Sequence, residues 1–342
     1  MTNRALHKLR DARTMDPVLA GEDLSEYHSS FDVMTNSHAI ESRLSDSLTR
    51  GERIALIGAT GSGKTSTTAF VIPSLGAQIA PFRIGVAIDD PLILGNPGKF
   101  AQHVVRRIAM TAEQMSQSTR TELRVGVADQ HEVVRAKTRS VQAGLDAKIA
   151  SISANLGTAS QSINARTSAQ EIIEILGSAL TLVANTGPKP ILIFDDTDTW
   201  IQTGQDDVDE RRRSFFGDIL RMLAGLGCGL LVAVHPQYLT TDEFRAANSG
   251  FLTTTVEVPR VPNIEGLRSV LELRSSGADV ELDEAFESEA IVELHRKYED
   301  KDLSLRAALR CASSAIVHAV EAGSELVGIE AIALGLREIL SE

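Results

Sequence analysis

Short, unbroken apolar runs alternate along this chain with longer stretches in which apolar residues recur every three or four positions. The runs at 53 to 57, 190 to 194 and 228 to 234 have the length and the Ile, Leu and Val content of strands buried on both faces. Residues 82 to 88 and 253 to 258 predict two further strands. Helical spacing occupies 37 to 48, 64 to 73 and 211 to 225, and a helix opened by Asn96-Pro97 carries Phe100, Val104, Val105, Ile108 and Met115. Beyond Pro262 the pattern is helical throughout, over 263 to 275, 283 to 299, 302 to 322 and 327 to 341. Strands alternating with helices, followed by an all-helical tail, predict an α/β fold: a parallel sheet core with a C-terminal helical lid.

Two stretches stand apart from this rhythm. From about 111 to 169 the composition shifts to Ser, Thr, Ala, Gln and Arg, with no Trp, Tyr, Phe or Pro. There Val141, Leu145, Ile149, Ile152, Leu156 and Ile163 form the seam of a long helix, preceded by a short extended piece at Leu123, Val125 and Val127. This helical insertion reads either as an arm reaching a protein partner, DNA or a neighbouring subunit, or as a hairpin packed on its own core. Residues 1 to 30 mix Arg4, Lys8, Arg10 and Arg13 with Asp16, Glu22, Asp23 and Glu26, the composition of a mobile or partner-binding arm. The expected organisation is an arm over 1 to 36, a core over 37 to 261 containing the insertion, and a lid over 262 to 342.

Composition narrows the class. With 342 residues, 43% hydrophobic and 23% charged, the chain is long enough for two domains with an ordinary globular core. Cys228 and Cys311 lie far apart in apolar segments, which predicts two buried thiols and no disulfide framework. No apolar run approaches the roughly 18 residues of a bilayer span, and no secretory signal core opens the chain, so a cytoplasmic protein without membrane contact is expected. A net charge of −12 argues against a broadly basic nucleic-acid surface and leaves DNA only a local basic strip.

The chemistry is concentrated in two motifs. Gly58-Ala59-Thr60-Gly61-Ser62-Gly63-Lys64-Thr65 is a complete G-x-x-x-x-G-K-[ST] sequence, and it stands between an apolar strand and a helix as a phosphate-binding loop requires. Its glycines let successive N–H groups, through Ser66, face one phosphate cluster at the positive end of the helix. Lys64 is placed to reach the β- and γ-phosphates of ATP, and the Thr65 hydroxyl to ligate Mg²⁺. The second motif, Pro190-Ile191-Leu192-Ile193-Phe194-Asp195-Asp196, is an apolar strand ending in carboxylates. Asp195 is the expected Mg²⁺ partner, and Asp196 the expected general base or water-positioning group. Asp198 is a weaker candidate for the same role and reads more simply as a turn or capping carboxylate. Eight histidines show no metal-ligand spacing, so no metal beyond nucleotide-bound Mg²⁺ is expected.

The order of phosphate loop, Asp195-Asp196 strand, strand ending at His235 and helical lid resembles the AAA+ P-loop ATPases. The origin-recognition and signal-transducing (STAND) branches are the nearest in pattern, and the resemblance runs over about 37 to 340. It implies an ATP-hydrolysing homo-oligomer that works as a nucleotide-driven switch, on DNA or in phage defence, with a protein partner at the insertion or the arm. It also implies that His235 is the sensor 1 residue, Arg306 the sensor 2 arginine with Arg310 in reserve, and Arg245 the arginine offered to a neighbouring subunit, with Arg260 as its alternative. His235 reads equally as a strand cap before Pro236, and Arg211-Arg212-Arg213 reads either as a phosphate-contacting patch or, more simply, as a solvated, paired run at a helix start. Many relatives have Glu where this chain has Asp196, which keeps a second reading open: an adaptor that binds ATP with little hydrolysis. A small-molecule kinase shares the loop, but the long lid and the double carboxylate count against it.

Overall fold

A computed structural model describes residues 4–16, 23–35, 39–85, 93–126, 168–185, 187–202 and 207–341. Five strands, β1 (Arg53–Ile57), β2 (Ile79–Arg83), β3 (Lys189–Phe194), β4 (Gly229–Val234) and β5 (Thr254–Glu257), form one parallel sheet in the order β2-β3-β4-β1-β5. The three continuous apolar runs are the three inner strands β3, β4 and β1, which are covered on both faces and carry nearly unbroken burial. Register between β3 and β4 pairs Ile191 with Gly229 and Phe194 with Val232. Gly229 is required there, because a Cβ would overlap the Ile191 side chain and press on the backbone of Gly51 and Glu52.

One strand is displaced from its expected place. The sequence predicts it over 82 to 88, whereas β2 is Ile79–Arg83, followed by Ile84 N donating to Ile193 O at 2.9 Å. Pro81 sits inside it, facing Ile191 in register. An edge strand tolerates the missing donor, and β2 is one of the two outer strands of the order.

The chain divides into two compact units. One comprises Asp46–Leu56 and Leu75–Thr255 and holds most of the sheet. In it, the helix Pro97–Gly126 buries Phe100, Ala101, Val104, Val105 and Ile108, and packs against Ala169–Ala184. The extended piece expected at Leu123, Val125 and Val127 is instead helix at Leu123 and Val125, where local alternation does not outweigh helical propagation, and Val127 lies outside the described residues. The seam from Val141 to Ile163 lies outside the described residues. Ala169–Ala184 starts with a reciprocal capping box between Ser168 and Glu171. The helix expected over 211 to 225 is broken into Val208–Arg213, a π-helical turn at Ser214–Ile219 and Leu220–Ala224. The wider turn buries two consecutive aromatics, Phe215 against Phe100, Phe194 and Trp200, and Phe216 against Tyr238 and Phe244.

The other unit comprises Met1–Ser45, Ile57–Ser74 and Val256–Glu342. Its C-terminal helices are Ile264–Ser276, Ser288–Asp300, Leu305–Glu321 and Ile329–Ser341. The second begins later than its pattern predicts, because Leu282–Glu284 forms a 3-10 turn and buried Phe286 bridges to Val327. Residues 1 to 30 are not uniformly a free arm. Arg4–Ala12 is a helix that buries Ala5, Leu6 and Leu9, and with Met15 these join the apolar cluster of the C-terminal helices. Buried Arg274 then holds the carbonyls of Thr14 and Asp16 at 2.8 and 2.9 Å.

Both cysteines are buried free thiols, and burial pushes each pKa up to about 12. Among the described residues, no helix is long and apolar enough to cross a membrane.

Candidate nucleotide site

Strand β1 delivers the chain into the phosphate loop, and the loop's glycines are geometrically necessary. Gly61 and Gly63 adopt φ of +75° and +107°, which favour glycine, while a Cβ on Gly58 would stand 2.5 Å from Ser62 Oγ and 3.3 Å from the Val258 carbonyl. Ser62 N turns back to Ala59 O at 3.1 Å, and the helix Lys64–Ser74 starts at once. Lys64 is buried along its stem, and its Nζ donates to the carbonyls of Gly58 and Ala59 at 2.7 and 3.1 Å. Its ammonium is thus held over the loop by the loop itself. Ser62 Oγ is buried and has no hydrogen-bond partner among the described residues. An orphaned hydroxyl, a lysine ammonium and a helix N-terminus around a cradle that a Cβ would fill suit a phosphate group. Thr65 and Ser66 lie half-buried on the first turn, whereas Thr67 and Thr68 are bonded back to Gly63 O and Lys64 O. The hard hydroxyl oxygen of Thr65 is of the donor type that Mg²⁺ takes.

Within the same unit, the lid reaches the loop at Gly61. Arg306 N donates to Gly61 O at 3.3 Å, and a Cβ at Gly61 would meet Arg306 Cβ at 2.8 Å and Ser304 Oγ at 2.9 Å. Ser304 caps the helix Leu305–Glu321 by accepting from Ala307 N at 3.1 Å. The Arg306 side chain is exposed at this junction. Arg260 is engaged inside the unit: it pairs with Asp302, donates to Tyr298 O at 2.8 Å and Leu303 O at 3.1 Å, and lies over the Tyr298 ring. Those bonds brace the turn that presents Ser304 and Arg306.

Sequence pattern does not single out His28, Phe31, Asp32 or Glu41, yet His28 and Phe31 pack on the loop and its helix, and Asp32 and Glu41 hold them there. His28 is buried, with Nδ1 2.9 Å from Ser66 Oγ and Nε2 2.9 Å from Glu41 Oε1. Glu41 also accepts from Phe31 N at 2.7 Å and Asp32 N at 2.9 Å. Burial alone would raise the Glu41 pKa, but the bonds from His28, Asp32 and the Phe31 amide prevail and bring it down from 4.5 to about 2. A folded-state pKa below the unfolded one contributes stability above pH 4.5 that is lost as pH falls towards 2. Urea midpoints measured from pH 6 to pH 2 are therefore expected to drop across that window in the native chain. Glu41→Gln is expected to be less stable at neutral pH and flatter below 4.5; an unchanged acid limb would remove Glu41 as its source.

In the sheet unit, Asp195 and Asp196 follow β3 directly. Asp196 has φ +56°, and its N–H donates to Asp195 Oδ1 at 3.1 Å. Its carbonyl accepts from Thr199 and Trp200, so it starts the helix Thr197–Gln202, whose first turn includes Asp198. Buried Thr197 bonds the Ala233 carbonyl and so ties this turn to β4. His235 follows β4, and its Nδ1 accepts from Gln237 N at 3.2 Å, which gives it the capping geometry ahead of Pro236. Arg245 is exposed on Asp242–Gly250, 3.8 Å from the exposed Asp242. Arg212 pairs with Asp209 and Glu243, and Arg213 with Glu243, whereas Arg211 is buried rather than solvated as expected, because it lies on the inward face of Val208–Arg213.

No family model matches the sequence, and no curated protein matches it. Solved structures do. Drosophila ORC bound to DNA aligns with 100% of this chain and 67% of its own, at TM-score 0.53 and 15% identity. The Aeropyrum pernix ORC2 protein in ADPNP–ADP complexes aligns with 91% of this chain and 72% of its own, at TM-score 0.50 and 13% identity. The fold is that of the origin-recognition proteins. The expected AAA+-like α/β architecture with a helical C-terminal region is therefore present. At these identities the likeness to the origin-recognition proteins is one of fold.

Proposed function

We propose that this chain is an ATP-dependent switch of AAA+ type that binds ATP with Mg²⁺ and hydrolyses it. The observation that carries the proposal is the phosphate loop: a buried Lys64, an orphaned Ser62 hydroxyl and glycines at positive φ, with the lid helix seated on Gly61. Gly58 through Ser66 bind the phosphates, Lys64 supplies charge to them, and Thr65 and Asp195 are the residues to hold Mg²⁺. Asp196 orients or deprotonates the attacking water, His235 senses the γ-phosphate, and Arg306 answers it from the lid. Arg245 completes the site of a neighbouring copy in a homo-oligomer. The ADPNP–ADP complexes of the Aeropyrum protein support the nucleotide, and Drosophila ORC on DNA supports DNA as a partner to test. A net charge of −12 ranks a protein partner, at the insertion or the arm, ahead of DNA, and the cytoplasm is the proposed location.

The test is ATP turnover per chain across a wide range of protein concentration. A rate that climbs with concentration, and that falls about 10²-fold or more in Arg245→Ala, is the expected result for an arginine supplied in trans. A concentration-independent rate would overturn the shared site. Bound ATP with no turnover would instead favour the adaptor reading, which rests on the shorter Asp at position 196 where many relatives have Glu.

A further inference from the structure

Resting on that nucleotide reading, we propose that His28 is a positioning residue of the phosphate site, and that residues 28 to 32 form a strap whose seating is linked to nucleotide binding. The four hydroxyl residues from Thr65 to Thr68 show what His28 does. Thr67 and Thr68 give their hydroxyls to backbone carbonyls four residues earlier, the ordinary fate of such side chains in a helix. Ser66 instead meets the Nδ1 of His28 at 2.9 Å. The carboxylate of Glu41 accepts from Nε2 at 2.9 Å, which orients the ring and leaves Nδ1 as the nitrogen that engages the Ser66 hydroxyl. The Ser66 hydroxyl is thereby held by the ring, one residue beyond the threonine assigned to Mg²⁺.

The strap is fastened on both sides. Glu41 takes the N–H groups of Phe31 and Asp32, while the Asp32 carboxylate takes those of Glu41 and Ser42 at 3.1 Å each, at the start of the helix Ile40–Arg50 that leads into β1. The Phe31 ring covers Gly63, where a Cβ would lie 3.5 Å from its edge, and the His28 ring stacks on Phe70 with centroids 4.8 Å apart. One five-residue segment therefore contacts the last glycine of the loop and the first and second turns of its helix. A group held in this way pre-orders the loop for its ligand, and by linkage the ligand holds the strap in return.

The experiment uses the full chain, a non-hydrolysable ATP analogue with Mg²⁺, and two readouts: affinity by calorimetry, and hydrogen exchange at the Phe31 and Asp32 amides. In the native chain the analogue is expected to slow exchange at both amides. His28→Ala is expected to speed that exchange and to weaken the analogue about tenfold or more. His28→Gln, whose amide offers N–H to Glu41 and C=O to Ser66, is expected to recover most of the affinity. If His28→Ala does not fold, His28→Gln and Ser66→Ala carry the comparison, with Ser66→Ala expected to weaken binding and His28→Gln to leave it within a few-fold of native. Fast exchange with native affinity in His28→Ala, or native affinity in Ser66→Ala, would overturn the positioning role. Absence of binding by the native chain would remove the phosphate site itself, and this inference with it.

Discussion

Lys64→Ala is expected to lose nucleotide binding and turnover together, with affinity for ATP down about 10²–10³-fold, the scale seen when one preorganised donor to a phosphoryl or oxyanion group is removed. The argument is geometric. Lys64 is buried with its Nζ on the carbonyls of Gly58 and Ala59, so its charge is already positioned over the loop. Alanine removes that charge and also leaves two loop carbonyls without their donor. Lys64→Met, similar in length and uncharged, separates the two effects. Equal losses in both variants would place the effect in the ammonium, whereas a mild Met variant would place it in packing of the loop. Native affinity in Lys64→Ala, measured by direct titration with the folded state checked by circular dichroism, would sink the assignment of the loop.

Much of this is legible in the sequence, for physical reasons that differ from element to element. The loop can be read because its function demands glycines at fixed offsets, and Gly61 and Gly63 at positive φ are where those glycines act. Strands β3, β4 and β1 can be read because a strand covered on both faces has no polar positions to confuse its period. Strand β2 lies away from its predicted place because Pro81 counts against a strand locally, whereas an edge position accepts it. The helix Arg4–Ala12 is hidden by its charges. Leu6 and Leu9 suffice to dock it because the cluster of the C-terminal helices supplies the rest of the core.

His28 and Glu41 leave no local trace at all. A histidine in a polar stretch becomes informative only when its partners, 13 and 38 residues away, are brought to its two ring nitrogens. The roles of Asp195, Asp196, His235 and Arg245 likewise come from order along the chain and a family pattern.

Gly61→Ala is expected to be strongly damaging for a change of one methyl group. Two costs add. At φ +75° an alanine loses roughly 1 kcal/mol relative to glycine, and its Cβ would enter space already held by Arg306 Cβ at 2.8 Å and Ser304 Oγ at 2.9 Å. Overpacking of that kind costs about 1–3 kcal/mol, which gives roughly 2–4 kcal/mol in all. Gly76 provides the control, since it also has positive φ, +50°, but a Cβ there would meet nothing within 4 Å, so Gly76→Ala isolates the conformational cost. Urea midpoints for the two variants are expected to differ by the overpacking cost. The alternative to instability is that the start of Leu305–Glu321 shifts off the loop and the bond from Arg306 N to Gly61 O breaks. In that case stability falls little, while the rate at which bound nucleotide is released rises, because the lid no longer rests on the phosphates' cradle. Either result ties the lid to Gly61. A Gly61→Ala chain no less stable than Gly76→Ala, with native nucleotide release, would show that the close approach of Ser304 and Arg306 contributes nothing to either.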